Sequence, residues 1–317
     1  MRSGERFFLT IAASLLSVTA SLAQTFTEYA IPTSASHPFA ITPGPDGALW
    51  FTEMKGNRIG RITTAGAITE YRIPTANSAP VWIVAGPDGA LWFTEKTGNK
   101  IGRITTAGVI TEYPLPTPDS SPWDITNGPD GALWFTEKHN VKIGRLTTSG
   151  MLTEYPIPLA PWDLTTGPDG AIWYTEWRYN QVARITIGGV VTDRYTVPTA
   201  NSHPDVIITG PDGNLWFTEE IADKIASVTT AGAFTEYPVP TPNSNPGAIT
   251  AGPDGALWFT EHTGGGKIGR ITTSGAISEY PVPTPNSEPM VVEPGPDGAL
   301  WFTEYSGDKI GRITTGR

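Results

Sequence analysis

Short runs of Ile, Val, Leu, Trp, Phe, Tyr and Thr recur along this chain, broken at regular places by Pro and Gly. One period comprises Phe39 to Thr42, the turn Pro45-Asp46-Gly47, then Ala48 to Glu53, Arg58 to Thr63 and Ala67 to Pro74. Branched and aromatic residues of this kind suit a half-buried pleated surface, and the P-D-G and T-A-G or T-S-G pieces supply turn chemistry. Each period therefore predicts four short strands. Beyond the N-terminus no stretch carries a helical period.

The phrase G-P-D-G-A-L-W-F-T-E, or a close variant, begins at Gly44, Gly86, Gly128, Gly167, Gly210, Gly252 and Gly295, with spacings of 42, 42, 39, 43, 42 and 43 residues. Four strands in a unit of this length, repeated seven times, predict an all-β, seven-bladed β-propeller of four-stranded blades. The last repeat stops after Lys309 to Thr315 without an outer strand, whereas Phe26 to Pro32 reads as the missing piece. The N-terminal strand is thus expected to complete the last blade, close the ring and remove an open sheet edge.

Residues 1–23 differ in character. Arg2 and Arg6 precede an apolar run from Phe7 to Leu16 and small residues ending Ser21-Leu22-Ala23. This pattern predicts a signal peptide cleaved before Gln24, leaving residues 24–317 as a single propeller domain in the periplasm or outside the cell. With Arg2, Glu5 and Arg6 removed, the net charge goes from −10 to −11. So acidic a chain argues against nucleic acid. No later segment approaches membrane length, so no membrane attachment is expected after cleavage; a monomer is expected. The chain has no Cys, which excludes disulfides and thiol chemistry.

Residues present in every blade serve the fold, so a unique site must lie where the copies differ. The seven Trp of the W-F strands, such as Trp50 and Trp92, read as packing between blades, and the seven Glu that follow, such as Glu53 and Glu304, as partners of the K/R-I-G-R strands. The P-D-G turns offer one carboxylate each, too few for a metal loop.

Symmetry breaks at the residue after each strand-entry Pro, which the antiparallel hairpin places near the mouth of the central channel. Around the ring it is Phe39, Val81, Trp123, Trp162, Asp205, Gly247 and Met290. One arc is aromatic or apolar, and the other carries Asp205 with Glu288 and Glu293. Trp177, Arg178 and Tyr179, in the loop of the fourth blade, extend the aromatic side. A small-molecule or peptide ligand is expected on this face, with rings stacked against the aromatic wall.

The blades resemble the virginiamycin B lyase (streptogramin lyase) family in the run Leu257-Trp258-Phe259-Thr260-Glu261, Lys267-Ile268-Gly269-Arg270-Ile271-Thr272 and Glu279-Tyr280-Pro281. That resemblance covers the mature chain and implies a seven-bladed propeller and Mg2+-dependent opening of a cyclic depsipeptide antibiotic by C–O elimination. It implies a base in a Glu-Pro-His sequence entering the last blade, with that Glu and a second Glu after the W-F strand serving the metal. Here the sequence is Glu288-Pro289-Met290, so the acidic positions fall on Glu288 and Glu304 while the base position holds Met290. A second His, which contacts substrate, falls on Gly247. His262, in a loop facing the seventh blade, is the substitute base on offer.

Three readings follow: a ligand- or partner-binding propeller that has lost the lyase base, a metal-dependent lyase or hydrolase acting on another cyclic ester or depsipeptide, and a streptogramin B lyase, which would confer antibiotic resistance.

Overall fold

The repeat unit folds as its punctuation predicts. In the structure, a computed structural model that describes residues 24–315, blade 1 consists of Pro38–Pro43, Leu49–Glu53, Arg58–Ile62 and Ile68–Arg72, paired antiparallel in that order from the channel outward. Six further four-stranded sheets repeat this arrangement. In blade 7 the order is Pro289–Pro294, Leu300–Glu304, Lys309–Ile313 and then Phe26–Ala30 from the other end of the chain, with Phe26 opposite Ile313 and Ala30 opposite Lys309. The ring is closed by its N-terminal strand. The expected signal peptide lies outside the described residues, and among those described no helix is long and apolar enough to cross a membrane.

The invariant residues divide the work of one blade. Trp50 and its six equivalents are fully buried. Each packs toward the next blade: Trp92 meets Ile125, Leu133 and Phe135, and Trp173 meets Ile207, Leu215 and Phe217. The P-D-G aspartate ties that indole down. Asp46 accepts from Trp50 Nε1 at 3.0 Å and from Arg61 Nε at 2.6 Å. Burial works to raise the Asp46 pKa, but these two bonds hold it below the usual carboxylate range. Gly60 of the third strand is required by packing: a Cβ there would lie 2.0 Å from Phe51 Cζ.

The Thr of W-F-T-E fixes the channel mouth. Each inner strand except that of blade 4 has a register shift just after its entry Pro, which takes a backbone N–H out of the ladder. In blade 1 Thr52 Oγ1 accepts that N–H from Ala40 at 3.0 Å and donates to the carbonyl of Val81 in blade 2 at 2.6 Å. Thr94, Thr136, Thr175, Thr260 and Thr303 likewise donate to the carbonyls of Trp123, Trp162, Asp205, Met290 and Phe39. Six of the seven mouth residues are therefore held by the hydroxyl of the blade before them.

The ring of Glu residues departs from expectation. The Lys of the K-I-G-R strands pairs instead with a Glu of the outer strand, as Lys100 does with Glu112 at 2.8 Å. The inner Glu53, Glu95, Glu137, Glu219, Glu261 and Glu304 are buried, and neither carboxyl oxygen has a hydrogen-bond partner within the chain. Burial, then the adjacent outer Glu, pushes Glu53, Glu95 and Glu261 up to about 8, so they are neutral acids at pH 7. Only Glu176 is ion-paired, with Arg194 at 2.7 Å, where blade 4 has exchanged its outer Glu for Arg.

Candidate functional site

At the channel mouth Phe39, Trp123, Trp162, Asp205, His262 and Met290 line one cavity of about 170 Å³, joined by Trp82, Val206, Glu220, Ala248 and Val291. The aromatic wall is continuous. Tyr305 meets Phe39 edge-on, Phe39 meets Trp123 edge-on at 5.4 Å, Trp123 tilts against Trp162 at 5.4 Å, and Trp162 stacks on Trp177 at 5.2 Å. Facing it are two carboxyl groups anchored to the same wall. Asp205 accepts from Trp162 Nε1, and Glu220 accepts from Trp177 Nε1 at 2.8 Å. Burial, reinforced by Glu220, pushes Asp205 up to about 7.

The histidine and the glycine of this site occupy one space. A Cβ on Gly247 would lie 1.9 Å from His262 Nε2, so the imidazole fills the slot that a side chain at Gly247 would need. Nε2 is buried without a hydrogen-bond partner. Burial lowers the His262 pKa, opposed by Glu220, the Met290 carbonyl and Glu288, so the ring is held neutral; it lines the cavity, with Nε2 turned to Gly247. Met290 places a thioether beside it, which cannot take a proton.

Strand alternation gives the two carboxylates expected to share a metal different neighbours. Trp301, Thr303 and Tyr305 face blade 1, where Thr303 bonds to Phe39 and Tyr305 packs on His37 and Phe39. Glu304 points the other way, so its neighbours are Ser287 and the outer-strand Glu28. Glu288 accepts from Ser306 Oγ at 2.5 Å. Among the described residues no group of three or more His, Asp or Glu is gathered closely enough to hold a metal ion. The orphaned oxygens of Glu304 recur in five other blades and are not special to this one. Glu288 and Glu304 would hold a cation only as a pair of carboxylates completed by water, and the residue after the last W-F strand that packs at the mouth is Tyr305.

Other expected residues are also redistributed. Trp177 and Tyr179 line a neighbouring cleft rather than the mouth cavity. Glu293 lies deeper, lining a second channel cavity of about 130 Å³ with Asp124 and Asp163. Burial raises all three carboxyl pKa values, Asp124 and Glu293 to about 7, and Asp163 further through its neighbour Asp124. Val81 is buried, and its successor Trp82 lines both cavities. Sequence reasoning missed Trp82, Glu220 and Lys138. For Glu220 and Lys138 the signal was available in the residue after each F-T-E or Y-T-E, which runs Met54, Lys96, Lys138, Trp177, Glu220, His262 and Tyr305 and varies as much as the entry residue does.

Comparison with known proteins agrees with this architecture. Residues 17–192 and 125–317 match the Virginiamycin B lyase family. A solved structure of virginiamycin B lyase from Staphylococcus aureus is 42% identical, with a TM-score of 0.87, over 92% of this chain and 99% of that one. The same values hold for a catalytically inactive histidine-to-alanine variant of the Staphylococcus aureus enzyme with quinupristin. Virginiamycin B lyase from Bacillus licheniformis is 52% identical over 42 residues, a match spanning 13% of this chain and 14% of that relative.

Proposed function

This chain belongs to the virginiamycin B lyase family, and from that premise we propose that it is an exported ligand-binding propeller whose mouth cavity takes a small molecule or peptide without opening it. One observation carries the reading: Met290 stands in the cavity where the resemblance places the base. Recognition remains well provided for. The wall from Phe39 to Trp162 offers faces for a ring or apolar side chain, while Asp205 and Glu220 offer oxygens to a hydrogen-bond donor. The imidazole of His262, in the slot above Gly247, supplies an acceptor where the resemblance expects a substrate-contacting His. A ligand is gripped, but no group at the entry of blade 7 takes a proton from it.

A second reading, a carbon–oxygen lyase acting on another cyclic ester, is favoured by His262, a neutral imidazole lining the cavity whose Nε2 has no hydrogen-bond partner. The two are separated by incubating the protein with a streptogramin B depsipeptide and Mg2+, following ring opening by mass spectrometry and binding by calorimetry. Binding without opening is expected. Ring opening by the natural protein that disappears in His262→Ala would overturn the binding reading and make His262 the base.

A further inference from the structure

Blade 4 is entered by a shorter connection than any other. Between its outer-strand predecessor and its entry Pro it reads Pro156-Ile157-Pro158-Leu159-Ala160-Pro161, three residues fewer than Pro114-Leu115-Pro116-Thr117-Pro118-Asp119-Ser120-Ser121-Pro122 in blade 3. What is missing is the Ser that elsewhere accepts backbone N–H groups from the facing loop, as Ser36 does from Lys55 and Gly56. Where that covering loop would lie, a cleft of about 460 Å³ opens beside the mouth. Trp162 lines both.

The cleft collects cations that form no ion pair. Six described lysines and arginines have no carboxylate within ion-pair distance, and three of them, Lys96, Lys138 and Arg178, line this cleft. The other three, Lys55, Arg58 and Arg72, share a depression in blade 1 that has no aromatic wall. No Asp or Glu lines the cleft. Lys138 Nζ lies 2.9 Å from the ring centre of Trp162 and 3.8 Å from that of Trp123, and Lys96 Nζ lies 4.9 Å from Trp123. These ammonium groups are held against indole faces, which stabilise charge less fully than a carboxylate would. Burial, then repulsion from Lys96, pushes Lys138 down to about 7 against the pull of Asp205 and Glu220. Lys96 and Arg178, with Lys138 about half protonated at pH 7 and drawn to its charged form by a bound anion, concentrate the field there on a chain of net charge −10.

We propose that the cleft between blades 3 and 4 is a binding site for a carboxylate carried beside a flat ring. Arg178 offers a planar fork matching two carboxylate oxygens and Lys138 a point charge, while the exposed Tyr179 offers a face to the ring and Trp177, packed between Trp162 and His203, lines the wall. The acidic mouth selects donors, so this basic cleft is a second site with the opposite preference and does not rest on the reading of the mouth.

The test is calorimetric titration of the full protein with N-acetylphenylalanine and with its uncharged amide. The acid is expected to bind at least tenfold tighter than the amide. Lys138→Met and Arg178→Gln are each expected to weaken the acid at least fivefold and leave the amide unchanged. Arg178 is exposed, so its variant reports on binding without threatening the fold. Parallel titrations with 3-phenylpropionate and a peptide ending in Phe separate a free aromatic acid from a peptide C-terminus, since the tighter one identifies the source. Equal binding of acid and amide, absence of acid binding at millimolar concentration, or indifference to both substitutions would overturn the proposal.

Discussion

Thr303 closes the ring a second time, independently of the N-terminal strand, and its removal can be sized from the structure. Its hydroxyl accepts from Val291 N at 3.2 Å and donates to Phe39 O at 2.7 Å, linking blade 7 to blade 1 beneath the aromatic wall. Thr303→Val keeps shape and volume but leaves a buried N–H and a buried carbonyl without this partner. Each such loss costs about 1–3 kcal/mol, so the variant should lose about 3 kcal/mol. Blade 5 supplies an internal control. There Thr218 Oγ1 accepts from Val206 N at 3.3 Å, and no bond to the next blade accompanies it. Thr218→Val should therefore cost about half as much, and Thr303→Ser, which keeps the hydroxyl, less than either. Urea unfolding midpoints of the three variants, compared at matched m-value, provide the measurement. If Thr303→Val and Thr218→Val unfolded at the same midpoint, the hydroxyl would not be joining blades and the account of the mouth would fail.

Two further outcomes are expected. Deleting Phe26 to Pro32 removes the five-residue strand opposite Lys309–Ile313 and the Glu28 bonds to Lys309 and Thr284, so the unfolding midpoint should fall well below that of the chain beginning at Gln24; equal midpoints would refute closure. The buried acids Glu53, Glu95 and Glu261 have folded-state pKa values of about 8 against 4.5 when free, so they favour the fold fully below pH 4.5 and lose that contribution as pH rises through 8. Urea midpoints should consequently fall between pH 5 and pH 9, and Glu95→Gln should flatten the fall; a midpoint that climbs over that range would contradict neutral acids.

The fold was legible because each blade repeats its own punctuation. P-D-G marks the first turn, the Trp and Thr of W-F-T-E mark the second strand, and Phe26 to Pro32 is a recognisable missing outer strand. The entry residues were legible for the opposite reason, that they change from blade to blade within an otherwise constant repeat. Glu304 was chosen for its identity as an acid, and strand parity adds what that identity does not carry: Thr303 and Tyr305 share one face, and Glu304 belongs to the other. The tie between His262 and Gly247 leaves no mark in sequence spacing, since it depends on where an imidazole ring lands across two strands. The 39-residue spacing was visible, but its consequence, an uncovered basic cleft, needs the facing loop in view.

The hydroxyl anchors also bear on how freely this face can change. Because Thr52, Thr94, Thr136, Thr175, Thr260 and Thr303 hold main-chain carbonyls, they are blind to the side chains those residues carry. Phe39, Asp205 and Met290 sit in equivalent sockets although one is a ring, one an acid and one a thioether. A substitution at such a socket alters the chemistry presented to a ligand while leaving its attachment to the scaffold untouched. The propeller thus works as a fixed mount with interchangeable heads, in which selectivity can be rewritten one position at a time without loosening the backbone that carries it.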